Sequence, residues 1–448
     1  MLTSVDTAED PVRTSDLDEV IAKLAPPAGP GAAIAVQQHG EVIHTASHGL
    51  ANVEWGIPIA ADTVFRIGSI TKQFTAAAIM HLVEQGKIEL DHPLERWLPD
   101  YPVNGRLITV RHLLNHTSGI KSYTSLPHFF RDISRQDMPL ARLIDVFKDL
   151  EPDFEPGERF LYNNSGYVLL GAIIEACSGE DYATFLANTF FTPLGMTSTR
   201  YLHDEPIVPK RASGYAEAAG RLSNAPPLAM SLPHAAGALG ATVGDLLIWD
   251  RALRGGHVVS PASYAAMTTP GRLNDGSPMT YGFGLATLNY RGHPGIGHGG
   301  GINGFLSNLT YWPDADLTIA VLSNSGSFPI QRAFYGLARR AMGLPDLHRR
   351  VVKAGENDLA AASGIYAFDI GPLTLEVKDG ALASAFPAPG SLYRPFGKGR
   401  FFLEGDTEIA LHFEDLVDGA YQSLGFEAYG ERTPGRRQTS PGQTSATE

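Results

Sequence analysis

The stretch from Arg66 to Met80, RIGSITKQFTAAAIM, constrains what this chain can become more than any other. Ala76, Ala77, Ala78, Ile79, Met80, Leu82 and Val83 predict a buried helix after Ile70, closed at Gly86. Ser69 and Lys72 stand three apart and share a face of that helix, with the ammonium in reach of the hydroxyl. Ser69 sits at the positive end, where unpaired backbone N–H groups stabilise an oxyanion. A lysine desolvated by apolar neighbours loses its proton more readily and serves as a base. That is the chemistry of a Ser-Lys hydrolase. The same spacing also arises by chance in long chains, so the remaining sequence has to decide.

A chain of 448 residues buries a large core and suggests two or three domains. Its net charge of −13 repels a polyanion, and no Lys/Arg stripe interleaved with aromatics offsets that, so nucleic acid is excluded as a partner. No apolar run approaches the ~20 residues of a membrane span. The single cysteine, Cys177, forms no internal disulfide and follows Leu169, Leu170, Ile173 and Ile174 at helical spacing, which predicts core packing. The first residues lack the apolar core of a secretory signal, so the expected location is cytoplasmic, or periplasmic if a signal has been removed.

Residues 1–16 read as a loose tail, with Ser15 or Asp16 capping a first helix through Leu24. Ala33 to Asn52 alternates around a His39-Gly40 turn, a hairpin of a central sheet. Leu107 to Ala187 reads as a mostly helical lobe, and Gly282 to Asn324 returns to strands, with a helix around Gln331 to Met342. The first domain thus covers 17–345 and is α/β (α+β): an antiparallel sheet flanked by helices, plus the helical lobe. A charged linker, 346–356, leads to short alternating strands over 357–432, a small antiparallel β-barrel or sandwich. Residues 433–448 carry almost no apolar content and are expected to be disordered.

Two further segments supply what a Ser-Lys hydrolase needs. Tyr162 and Asn164, in FLYNNSGYVLL, lie in a loop before an apolar helix and can both point into a cleft; alone, they also suit a buried ring and an N-cap. A tyrosinate is a competent base if a neighbouring ammonium lowers its pKa. In IGHGGGINGF, glycines around His298 let backbone approach a substrate, and the Gly301 N–H would face that of Ser69 across an acyl carbonyl. Gly295, Gly297 and Gly300 also fit a dinucleotide fingerprint, but the residues that follow read as strand where a helix is required. His112 and His116 have the spacing of zinc ligands without the intervening Glu of a zincin.

Together these pieces resemble the serine β-lactamase and penicillin-binding superfamily, in particular its class C-like branch of esterases and D-aminopeptidases. Ser69-Ile70-Thr71-Lys72 looks like the nucleophile motif, Tyr162-Asn163-Asn164 like the Tyr-x-Asn motif and His298-Gly299-Gly300 like the third, which is Lys-Thr-Gly in β-lactamases. Leu113 to Gly119 also looks like a family segment, and the C-terminal domain resembles the lipocalin-like barrels appended to this family.

The resemblance implies that Ser69 is acylated, that Lys72 and Tyr162 share the proton transfers, that Asn164 binds the substrate amide and that His298 supports the tyrosine. Ser69, Gly300 and Gly301 frame the oxyanion, and no cofactor or metal is required. The expected partner is a small ester, amide or short peptide; a homo-oligomer stays open, as does the choice among amidase, esterase, β-lactamase and a non-turning-over penicillin-binding module. With His298 neutral and Gly299 lacking a hydroxyl, a substrate carboxylate placed there finds no fixed charge. Substrates without one on the acyl side are expected to react better.

Overall fold

At the His39-Gly40 turn both residues adopt positive φ, 51° and 78°, which suits the twist of a tight hairpin. It joins Ala32–Gln38 to Glu41–His48, antiparallel, as the sequence predicts. The computed structural model describes residues 14–218, 220–368 and 371–438. These form two units, one running to Leu288 and resuming over Pro294–Gly343, the other comprising Asn289–His293 and the chain from Leu344 onward.

The first unit is built on a six-stranded sheet in the order Ala286–Tyr290, His293–Ile302, Phe305–Trp312, Leu317–Ser323, Ala32–Gln38, Glu41–His48. Leu317–Ser323 is buried along its whole length, as expected of a central strand covered on both faces. Helix Ile330–Ala341 packs on it from one side, close to the predicted Gln331–Met342. Helix Thr71–Glu84 is buried nearly all round, the property of a core helix, with Phe74 stacked on Trp249 at 3.8 Å between ring centroids. Cys177 is half-buried against the same core.

The region 107–187 is less helical than its pattern suggests. Helices cover only Val110–Leu114, Leu140–Asp145, Asn164–Ser178 and Tyr182–Leu186. Pro127, Pro139, Pro152 and Pro156 lack the amide that an α-helix needs, and a 3-10 turn at Tyr123–Ser125, a π-helical turn at Phe129–Ile133 and irregular chain fill the gaps. The first helix spans Thr14–Ala22, two residues short of the expected end; most of the expected N-terminal tail lies outside the described residues.

In the second unit, helix Glu356–Ala362 precedes a closed eight-stranded antiparallel barrel. Its last strand, Glu431–Arg437, runs past the expected end at 432. Pro434 and Gly435 gave that segment the composition of a tail. Pairing with Phe426 to Ser423 on one side and Tyr366 on the other supplies the backbone partners that composition does not reveal. Residues 439–448 of the expected tail lie outside the described residues.

Candidate active site

Ser69 is the middle residue of a 3-10 turn, Gly68–Ile70, that runs directly into helix Thr71–Glu84. Strand Phe65–Arg66, paired with Leu239–Ala241, fixes the approach to that turn. Ser69 is half-buried and opens into a cleft of about 310 Å³. Gly68 takes φ +50°, and a Cβ there would lie 3.0 Å from the Gly301 nitrogen. At Gly300 a Cβ would fall 2.1 Å from the Ile67 oxygen and 2.2 Å from Ser307 Oγ. The glycines of His293–Ile302 therefore let this strand lie against the Ser69 turn, and Ser307 Oγ ties the two by donating to the Ile67 carbonyl at 2.8 Å.

Lys72 is completely buried, and its Nζ donates to Ser69 Oγ at 3.2 Å, Asn164 Oδ1 at 2.9 Å and the Ala236 carbonyl at 2.8 Å. No carboxylate appears among these partners. Desolvation therefore pushes the lysine well below its ordinary pKa, toward the free amine. The neighbouring Tyr162 ring lies 4.7 Å from the Nζ. Burial pushes the phenol above its usual range, and the nearby Ser69 hydroxyl opposes this. The shift of the tyrosine thus runs opposite to the lowering that a tyrosinate base would need.

The cap of helix Asn164–Ser178 is Asn163, whose Oδ1 accepts from the Gly166 N–H at 2.8 Å. Asn164 is thereby free to face the cleft, its Oδ1 toward Lys72 and its Nδ2 donating to Thr124 Oγ1 at 3.0 Å. His298 lies 6.0 Å from Tyr162 between ring centroids, but its Nε2 is hydrogen-bonded to the Tyr281 hydroxyl at 2.8 Å. Burial, then the nearby Lys72, holds this imidazole down to about 4, so it is neutral at neutral pH.

Sequence reasoning missed Tyr281 and Thr124, which sit in segments without a motif. It weighed His116 only as a zinc ligand. The His116 ring is buried within 4.4 Å of Tyr162, 5.0 Å of Tyr167 and 4.7 Å of Tyr281, measured between centroids. Its Nδ1 accepts from the Asn163 N–H at 3.1 Å, which puts its proton on Nε2 and buttresses the Tyr162-Asn164 loop. The LLNHTSG segment was the available signal. His112 is committed elsewhere, closing a capping box with Thr109.

The family model described as Beta-lactamase matches residues 18–339. The chain is 32% identical over 305 residues to penicillin-binding protein 4* of Bacillus subtilis (strain 168), covering 64% of this chain and 66% of that one, a little under two thirds of its length. It is 29% identical over 418 residues to a D-aminopeptidase of Gluconobacter oxydans (strain 621H), covering 92% and 75%. Among solved structures, the D-amino acid amidase from Ochrobactrum anthropi SV3, complexed with L-phenylalanine amide, superposes with a TM-score of 0.63 at 28% identity, over 74% of this chain and 96% of that one. A serine, a buried lysine and a tyrosine converge within a match that spans most of the chain, and the protein belongs to the β-lactamase family of serine hydrolases.

Proposed function

We propose that this serine hydrolase forms an acyl-enzyme on Ser69 and cleaves the amide bond of small substrates. The observation that carries the reading is the buried Lys72 amine, held between Ser69 Oγ, Asn164 Oδ1 and the Ala236 carbonyl. As a free amine, Lys72 takes the Ser69 proton while Oγ attacks the carbonyl carbon. The resulting oxyanion sits between the N–H groups of Ser69 and Gly301. Tyr162, its ring 4.7 Å from the Lys72 Nζ, passes a proton from the Lys72 ammonium to the leaving nitrogen, and the C–N bond breaks. Water then attacks the acyl-enzyme by the same path in reverse. Asn164 keeps one Nδ2 hydrogen beyond its Thr124 bond for the substrate's amide oxygen. His298, neutral and held by Tyr281, positions the ring cluster around Tyr162.

The likeness to the D-aminopeptidase and the D-amino acid amidase supports amides over β-lactams. So does the absence of a fixed charge at His298-Gly299. A panel of D- and L-aminoacyl nitroanilides, short-chain nitrophenyl esters and nitrocefin, with mass spectrometry of Ser69, tests the reading. Turnover of nitroanilides with a transient adduct on Ser69 is expected. Turnover of esters alone would make the protein an esterase, and nitrocefin as the preferred substrate would refute the assignment.

A further inference from the structure

Leu228 and Asn303 line both the cleft at Ser69 and a second cavity of about 490 Å³. Arg66, Arg135 and Arg211 line this cavity together with Asp137 and Asp204. Asp204 is already engaged: its Oδ2 accepts from the Met230 N–H at 2.8 Å, and its Oδ1 lies 3.7 Å from Arg66 Nη2. The Arg66 side chain is only 17% exposed and lies over the Phe305 ring. Burial weakens its hold on the proton; Asp204 opposes this, while the positive charge of Arg211 adds to it. Among the described residues the Arg135 and Arg211 side chains have no hydrogen-bond or ion-pair partner. Three guanidiniums therefore face two carboxylates, one of them spent.

The chemistry orients a substrate along this axis. The leaving atom receives its proton from Tyr162, in the ring cluster that includes His298. From His298 to Asn303 the strand covers roughly 16 Å, at about 3.3 Å per residue. The leaving group belongs at the His298 end and the acyl group at the Asn303 end, toward the arginines.

We propose that the cavity of Arg66, Arg135 and Arg211 binds a carboxylate carried on the acyl part of the substrate, remote from the scissile bond. This rests on the serine-hydrolase reading above. It confines the disadvantage of a substrate carboxylate to the His298 end. An incoming carboxylate relieves the repulsion between Arg66 and Arg211 and meets guanidiniums able to bind it in bidentate fashion.

The test compares adipoyl, suberoyl and sebacoyl mono-nitrophenyl esters with their ω-methyl esters and with an ω-amino analogue. The readout is the ratio of kcat/KM values. The wild-type protein is expected to favour the free ω-acid by about tenfold at one of the three lengths, an advantage that shrinks with added salt. In Arg135→Gln/Arg211→Gln the ratio should fall to within about twofold of unity. A wild-type ratio of one or less, a preference for the ω-amine, or a double variant that keeps the preference would each overturn the proposal. Calorimetric binding of monomethyl suberate and dimethyl suberate to Ser69→Ala decides independently of turnover: the acid should bind about tenfold more tightly, and equal affinities refute the site. If the wild-type protein hydrolyses none of the esters and leaves Ser69 unmodified, the hydrolase reading fails, and the binding measurement still rules on the arginines.

Discussion

Asn164→Asp puts the proposed proton path to its sharpest test. The substitution keeps the shape of the side chain and its acceptor 2.9 Å from Lys72 Nζ, but adds a negative charge and removes the Nδ2 donor to Thr124 and substrate, a loss that lowers the rate at every pH and leaves the position of the limb to the charge. At that distance a unit charge pair attracts by about 6 kcal/mol at an effective dielectric near 20. One pKa unit corresponds to about 1.4 kcal/mol, so that attraction would raise the lysine's pKa by roughly four units if nothing opposed it. The new carboxylate must itself be desolvated, which cancels part of this and leaves an upward shift of about one to three units. The sign follows from the mechanism. Lys72 works as the free amine, so kcat/KM rises with pH through the lysine's pKa, and a carboxylate that holds the proton moves this limb to higher pH. At neutral pH the variant should lose about ten- to a thousandfold and recover much of it under alkaline conditions. Full pH profiles of kcat/KM with a nitroanilide or nitrophenyl ester check this. A variant whose acidic limb stays where the wild-type limb is, or moves down, would show that Lys72 is not the titrating base.

Ser69→Ala should abolish turnover by on the order of a million-fold without unfolding, and retention of a tenth of the activity would exclude Ser69 as nucleophile. Lys72→Met should impair kcat and also change the pH dependence of stability. A lysine whose folded pKa is depressed makes the native state bind fewer protons than the unfolded chain, so wild-type stability rises with pH up to about 10.4, and the variant's should rise less in urea titrations at neutral and alkaline pH. Gly300→Ala places a methyl group against the Ile67 carbonyl and Ser307 Oγ, and should cost about 1–3 kcal/mol in stability and lower kcat by displacing Gly301; an unchanged Tm and rate would contradict the packing described. Tyr281→Phe removes the partner of His298 Nε2. It should lower kcat by less than Tyr162→Phe does, and an equal or larger loss would place Tyr281, not Tyr162, on the proton path.

The sequence is most legible where a short local pattern carries the geometry. Ser69 and Lys72 are brought together by helical spacing, a property of one turn of backbone, and the glycines near His298 announce a close backbone approach. The His39-Gly40 hairpin and the Ile330–Ala341 helix were legible for the same reason, since turn residues and periodicity act over a few neighbours. The lobe between 107 and 187 is less helical than its apolar spacing implies because Pro127 and Pro139 add to the breaks expected at Thr117-Ser118-Gly119, Pro152 and Pro156-Gly157.

What the sequence determined by itself was the pairing of Ser69 with Lys72 and the order of the motifs around them, because these follow from local geometry. Only the tertiary structure decided the protonation and partners of those groups. Lys72 is driven toward the free amine by a core assembled from distant segments, and its three acceptors come from residues 69, 164 and 236. Tyr281 takes the bond from His298, His116 supports Tyr162 from a segment some 45 residues away in sequence, and three arginines from separate segments converge beyond Asn303. None of these has a periodic or spaced signature. Desolvation and charge depend on what surrounds a group in space, and that is set by packing between segments, not by any one of them.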